Sequence, residues 1–182
     1  VRIHGVDIGI AICEDLWIDG GITAQLAARK PGLVIVPNGS PYERAKDDVR
    51  LALVRERARQ AKAPLAYINM TGGQDDLVFD GDSIVVGADG ALIARAPQFE
   101  DGVMLVDVDV ATGTSKPDVV ISESAVILGK ELVPTIAERL GDEEEVWNAI
   151  VVGLRDYVQK NGFKSVLIGL SGGIDSALVA AL

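Results

Sequence analysis

The chain has one cysteine and one histidine. A single thiol excludes an internal disulfide and makes a reducing, cytoplasmic setting the default. The histidine, His4, lies on the strand-like stretch leading into Cys13. Extended chain over that interval spans about 30 Å, which argues against a protease-like cysteine–histidine pair. Basic residues are in deficit, with 17 Lys and Arg against 27 Asp and Glu and a net charge of −10. A nucleic-acid backbone needs concentrated Lys and Arg, so the charge balance argues against it as a partner. Small phosphates are not excluded, because backbone N–H groups and a metal can hold them. No run approaches the ~20 uncharged apolar residues of a membrane span. The first residues do not read as a signal peptide. The sequence has no internal repeat and no low-complexity tract.

What is present is the balance of a soluble globular protein: 182 residues, 48% apolar and 24% charged, enough to bury a core. The chain opens at Val1 on strand-like sequence and stops at Leu182 inside a helix-like stretch. An internal fragment of a longer protein is expected.

Hydropathy periodicity gives the elements. Strands are expected at Val6–Ile12, Leu33–Val36, Leu65–Asn69 and Met104–Val108. Ser83–Val86 and Ala91–Ala94 should form a hairpin about Ala88-Asp89-Gly90. Ile22–Lys30 should be a short helix. Ser40-Pro41-Tyr42-Glu43 has the form of a helix start running to about Lys62, with Val49, Leu53 and Val54 facing the core. Thr71–Asp76 reads as a polar loop. Ala111–Pro117 reads as a loop or linker, and Asp118–Val133 has no clear assignment. Asp142–Gly162 is an amphipathic helix. Asp142 and Glu145 form a capping-box pattern, Val146, Ile150, Leu154 and Val158 share a face, and Asn161-Gly162 ends it. Val166–Leu170 is a parallel-type strand, and a helix begins at Ala177.

Strand, glycine-rich loop and helix between Val166 and Leu182 make an anion site. A helix start offers unpaired N–H groups and partial positive charge. Gly172 and Gly173 let the backbone approach closely. Ser171 and Ser176 add hydroxyls. Asp175 repels phosphate unless it caps the loop or faces a metal ion. The lysine of the G-x-x-x-x-G-K-[ST] loop is missing. An ordinary strand-to-helix turn would also use small residues. Cys13 has two readings, a small buried residue at a strand end or a nucleophile exposed at its tip.

The hexapeptide Ser171-Gly172-Gly173-Ile174-Asp175-Ser176 resembles the pyrophosphate loop of the N-type ATP pyrophosphatases, which activate a carbonyl as an adenylate. The resemblance implies ATP binding by Gly169, Leu170, Ser171, Gly172, Gly173, Ile174, Asp175 and Ser176. Ala11-Ile12-Cys13-Glu14-Asp15-Leu16-Trp17 resembles the cysteine motif of the nitrilase, or carbon–nitrogen hydrolase, superfamily. Asn38-Gly39-Ser40-Pro41-Tyr42 and Gly72-Gly73-Gln74-Asp75-Asp76-Leu77-Val78-Phe79-Asp80-Gly81 resemble later motifs of its glutaminase branch. The two in this order resemble the layout of glutamine-dependent NAD synthetases.

The resemblance implies an α/β fold: the C-terminal half of an α-β-β-α nitrilase-like sandwich over residues 1–110, a linker over 111–141, and the start of a doubly wound, Rossmann-like nucleotide-binding domain over 142–182. It implies Cys13 as nucleophile toward glutamine, with the Glu14 N–H an oxyanion donor and its side chain orienting the turn. It places Ser40 and Lys46 at glutamine-contacting positions, where a cation suits the α-carboxylate. Ser40 could also be a helix N-cap and Lys46 a solvated helix charge. Tyr42 could pack beside the substrate or staple the helix, and Asp75 and Asp76 read as loop solubilisers. It implies ATP with Mg, deamido-NAD and glutamine as reactants, and a homo-oligomeric parent. The family's glutamate base and oxyanion lysine precede its cysteine, and the residues before Cys13 contain neither. Few residues follow Ser176, so the adenine pocket, metal carboxylates and deamido-NAD site are not expected here. The chain alone is expected to be inactive, with uncovered sheet edges and apolar faces that favour aggregation. The other readings are a stand-alone nitrilase-type amidase and a non-catalytic nucleotide-binding remnant.

Overall fold

The computed structural model describes residues 1–44, 46–124, 129 and 132–182, without the side chain of Asp47. Strands β1 (Arg2–Ile3) and β2 (Val6–Ile10) form an antiparallel pair that turns at His4-Gly5. Strands β3 (Leu33–Asn38) and β4 (Leu65–Asn69) run parallel to β2 and to each other. Parallel neighbours need a crossover. Helix α1 (Ile22–Ala28) supplies it between β2 and β3, and helix α2 (Lys46–Ala61) between β3 and β4. Strands β5 (Thr71–Gln74) and β6 (Leu77–Asp80) pair separately. Strands β7 (Ile84–Val86) and β8 (Leu92–Arg95) complete the main sheet, whose order is β1-β2-β3-β4-β7-β8. Helices α3 (Asp142–Lys160) and α4 (Ile174–Ala181) follow.

The core lies between α2 and one sheet face. Val54, Ala58 and Ala61 pack on Val34, Val36, Leu65, Tyr67, Ile84 and Val86. The opposite sheet face shows Ile10 and Ile68 about half exposed, at 48% and 49%. That is one helix layer on one sheet: half of an α-β-β-α sandwich, in which a second sheet covers such a face.

Several local expectations are corrected. Ser40-Pro41 does not start a helix: residues 41–43 have no regular structure and α2 runs from Lys46. Val49 is 53% exposed, because the buried stripe of α2 is Arg50, Val54, Arg57, Ala58 and Ala61. Two arginines on that stripe defeat a hydropathy pattern. Thr71–Asp76 is not a loop: Asp75-Asp76 is the two-residue turn of the β5–β6 hairpin, with Asp75 at φ +53°. Asp142 and Glu145 make no capping box, since Gly141 is the N-cap and Glu145 is buried. The buried face of α3 is Glu145, Ala149, Val152 and Asp156, while Val146, Ile150 and Leu154 are exposed and Val158 is half-buried.

Neither Met104–Val108 nor Val166–Leu170 is a strand. A strand needs a neighbour for its ladder, and no described strand pairs with either segment. Residues 113–121 lie against β1: the Arg2 N–H bonds Val119 O at 2.8 Å and the Gly113 N–H bonds Gly5 O at 2.7 Å. Residues 125–128, 130 and 131 of the unassigned stretch lie outside the described residues.

Candidate active site

Beyond the C-terminal end of β2 the chain enters a short 3-10 turn, Cys13–Leu16. Cys13 sits at φ +44°, a left-handed conformation that strains a residue with a Cβ. The turn is held from both sides. Asp15 Oδ2 accepts the Ile12 N–H at 2.9 Å. Buried Arg57 donates from Nε to Leu16 O at 2.8 Å and from Nη2 to Asp19 Oδ1 at 2.6 Å. The result is a half-buried thiol on a rigid corner at the tip of a parallel strand. Glu14 beside it is exposed, and its carbonyl accepts the Trp17 N–H. His4 lies at the β1–β2 turn, at the other end of β2, bonded to Ser124 O.

The neighbouring strand ends supply a buried polar wall. The Ser40 N–H bonds Asn69 Oδ1 at 3.0 Å, and Asn69 Nδ2 returns to Ser40 O at 3.2 Å. Arg50, 1% exposed, donates from Nη1 to Asp80 Oδ2 at 2.5 Å. Its Nη2 reaches Ser40 O at 3.0 Å, Ser40 Oγ at 3.3 Å and Pro41 O at 2.9 Å. Burial opposes the Arg50 charge, but Asp80 outweighs it and raises the guanidinium pKa above its ordinary value. Tyr67, 1% exposed, brings its phenol to the same wall. Burial raises that phenol's pKa above its ordinary value, against the opposing pull of Ser40 and Arg50, so it keeps its proton. Its hydroxyl has no hydrogen-bond partner among the described residues. A buried hydroxyl left unpaired costs about 1–3 kcal/mol.

The predicted site residues divide accordingly. Cys13 and Ser40 are each fixed by this scaffold. Ser40 is not an N-cap; its Oγ accepts from Arg50. Lys46 opens α2 with its ammonium bonded to Glu43, which holds that carboxyl below its usual range. A substrate carboxylate would have to compete with Glu43 for it. Tyr42 neither staples a helix nor stays unattached: its ring meets Phe99 edge-on at 5.4 Å, and its hydroxyl reaches Glu145 Oε2 at 3.5 Å. Sequence reasoning missed Asp15, Arg50, Arg57, Tyr67, Asn69 and Asp80. Their one sequence signal is position, since each stands inside or next to a motif or on the buried stripe of α2.

The second predicted site stands apart. Gly169 to Asp175 are exposed and Ser176 is half-buried. Gly172 takes φ +87°, which only glycine adopts freely. The two hydroxyls close the loop on itself: the Ser171 N–H bonds Ser176 Oγ at 3.2 Å, the Gly173 N–H bonds Ser171 Oγ at 3.3 Å, and Ser176 Oγ donates to Gly173 O at 3.1 Å. The helix that follows begins at Ile174, three residues before its expected start. Asp175 is the acidic group of its first turn. Among the described residues no cluster of three His, Cys, Asp or Glu side chains could hold a metal ion. No helix among them is long and apolar enough to cross a membrane.

The two halves meet where α3 lies on the β5–β6 hairpin. Asp156 Oδ2 accepts the Gly73 N–H at 2.8 Å, and Lys160 Nζ bonds Gly73 O. Gln98 Nε2 donates to Glu145 Oε1 at 2.7 Å. Phe99, Ala149 and Val152 form a small core here with Tyr42, Val78 and Leu140.

Fold and site together are a half-buried thiol on a strained turn after β2 and a buried polar wall at the ends of β3 and β4. The chain belongs to the carbon–nitrogen hydrolase family, whose profile matches residues 1–118. The NAD synthase profile matches residues 146–182. Over its whole length the chain is 43% identical to a glutamine-dependent NAD(+) synthetase of Xanthomonas campestris pv. campestris (strain 8004), covering 30% of that protein. It is 37% identical to the enzyme of that name from Aquifex aeolicus (strain VF5), covering 35% of it. The solved structure of the glutamine-dependent NAD+ synthetase of Acinetobacter baumannii with adenosine diphosphate superposes on all of this chain with a TM-score of 0.77 at 34% identity. The chain covers 31% of that structure. It thus spans about a third of the length of these relatives.

Proposed function

We propose that this chain is the stretch of a glutamine-dependent NAD synthetase that carries the glutaminase nucleophile and the ATP loop. Cys13 attacks the side-chain amide of glutamine. A thioester forms, ammonia leaves, and water releases glutamate. Ammonia then attacks a deamido-NAD carboxylate that ATP has adenylated with loss of pyrophosphate, giving NAD and AMP. Lys46 and Ser40 contact the glutamine, and the Glu14 N–H faces the developing oxyanion. Gly169 to Ser176 hold the ATP pyrophosphate through backbone N–H groups, with Mg arriving on the nucleotide. The observation that carries this reading is the join: a cysteine turn and a phosphate loop on one chain, with α3 docked on the β5–β6 hairpin through Asp156 and Gly73.

The 182 residues by themselves are expected to turn over neither substrate. The parent is read as a homo-oligomer, and as cytoplasmic in keeping with the single thiol. The test is product stoichiometry. Full-length protein given glutamine, ATP, Mg and deamido-NAD should form glutamate, NAD, AMP and pyrophosphate in equal amounts. Glutamate release with no NAD formed would contradict the synthetase half; no glutamate release would contradict the glutaminase half.

A further inference from the structure

The Tyr67 hydroxyl is a buried polar atom of the wall that closes no hydrogen bond among the described residues, as is Arg50 Nε. Tyr67 lies mid-strand in β4, paired with Val36 on β3 and Ile84 on β7. Its ring belongs to the core that also holds Ala11, Leu16 and Val54. Phenylalanine would fill that space equally well. Tyr67 shares the buried face of β4 with Asn69, whose side chain holds the Ser40 backbone, and Ser40 is the hydrogen-bonding group that pulls on the phenol against burial.

Ser40 Oγ is the partner that the chemistry selects. A serine hydroxyl has one proton to donate and two lone pairs to accept with. Arg50 Nη2, which can only donate, takes one lone pair at 3.3 Å. A second donor on the other lone pair would leave the serine proton a single use, outward to an acceptor on a ligand. Asp80 already accepts from Arg50 at Oδ2 and from Asn69 at Oδ1.

We propose that Tyr67 is a positioning residue of the glutamine site, whose O–H closes onto Ser40 Oγ when substrate binds and so commits the Ser40 proton to a substrate oxygen. A Ser40 held this way selects a carbonyl or carboxylate oxygen and disfavours an ammonium group. The inference rests on the glutaminase reading of the Cys13 site.

The experiment is steady-state glutaminase kinetics on the full-length protein with Tyr67→Phe, Ser40→Ala and the double variant. Tyr67→Phe should raise KM for glutamine about tenfold, with kcat falling by less than about twofold. The double variant should match Ser40→Ala alone, since the phenol acts only through that hydroxyl. Ser40→Thr, which keeps a hydroxyl, should restore the sensitivity to Tyr67→Phe. Thermal melting of Tyr67→Phe should lie at or above the parent. An unchanged KM in Tyr67→Phe, or effects that multiply in the double variant, would overturn the inference and leave the glutaminase reading intact. A clear drop in melting temperature would assign the hydroxyl to structure and overturn it as well. A parent that releases no glutamate would remove the glutaminase reading and the inference together.

Discussion

Arg50 and Arg57 lie two turns apart on the buried face of α2, and each ends on a backbone carbonyl of a site loop. Arg57 Nε reaches Leu16 O at 2.8 Å, and Arg50 Nη2 reaches Ser40 O at 3.0 Å. One helix therefore sets both edges of the site: the turn that carries Cys13 and the loop that carries Ser40. A helix spaces residues seven apart almost in line, so the pair also fixes the distance between those edges.

Arg57→Met keeps most of the packing and removes the donors to Leu16 O and Asp19. The carbonyl would be left without a buried partner, at a cost of about 1–3 kcal/mol. Urea unfolding should report that loss. Arg57→Lys should recover little of it, because an ammonium cannot reproduce the guanidinium fork. The rate at which iodoacetamide alkylates Cys13 should change with the loss of the rigid turn.

The Arg50–Asp80 pair is buried on both sides, with side-chain exposures of 1% and 2%. Asp80→Asn leaves a buried cation without its counter-ion, which should destabilise the protein by about 3–5 kcal/mol. The double variant Arg50→Met, Asp80→Leu should lose far less than the sum of the single changes. Chemical denaturation of the three variants checks this directly. Glutamine binding should still fail in the double variant, because Ser40 loses its Arg50 contacts.

Asp7 ties residues 113–121 to the β1–β2 pair. Arg2 Nε reaches its Oδ1 at 2.8 Å, and Ser115 donates to its Oδ2 through Oγ at 2.8 Å. The Arg2 hydrogen bond first, and then the Ser115 contacts, outweigh burial and lower its pKa to about 2. A depressed carboxylate pKa contributes stability that is fully present above the unfolded value, about 3.9, and is lost as pH falls through the folded value. Asp7→Asn should therefore be less stable than the parent at neutral pH, with the gap closing between about pH 4 and pH 2. A gap that stayed constant over that range would contradict the assignment.

Gly73 is the close-contact point between the hairpin and α3. A Cβ there would lie 3.1 Å from Gly153 Cα and 3.2 Å from Asp156 Cβ. Gly73→Ala should push α3 away at a cost of about 1–3 kcal/mol. Hydrogen exchange should then speed up along Ala149–Asp156 while β3 and β4 stay protected.

What the sequence makes legible is what neighbouring residues decide together. Leu65–Asn69 alternates as a strand and is one, with the predicted boundaries. The turn at Asp89-Gly90 and the Asn161-Gly162 helix end follow from local chemistry and are found. The motif singles out Cys13, and the structure holds that residue half-buried on a strained turn. The scaffold around it is not legible, because hydropathy counts Arg50, Arg57 and Asp80 as surface residues. Their burial depends on partners far along the chain: Asp80 for Arg50, and Leu16 O for Arg57. The same holds for α3, where Glu145 faces inward to meet Gln98 and Tyr42. The apolar residues Val146, Ile150 and Leu154, which periodicity puts on one face, are exposed in this chain.

The central claim is that Cys13 feeds ammonia to a separate ATP-dependent site. The most direct measurement is NAD formation by full-length Cys13→Ala protein, with glutamine or with ammonium chloride as the nitrogen source. The account predicts that glutamine no longer supports NAD formation while ammonium still does, at a rate close to the parent's. Glutamine-driven NAD formation that survives the substitution would contradict the claim.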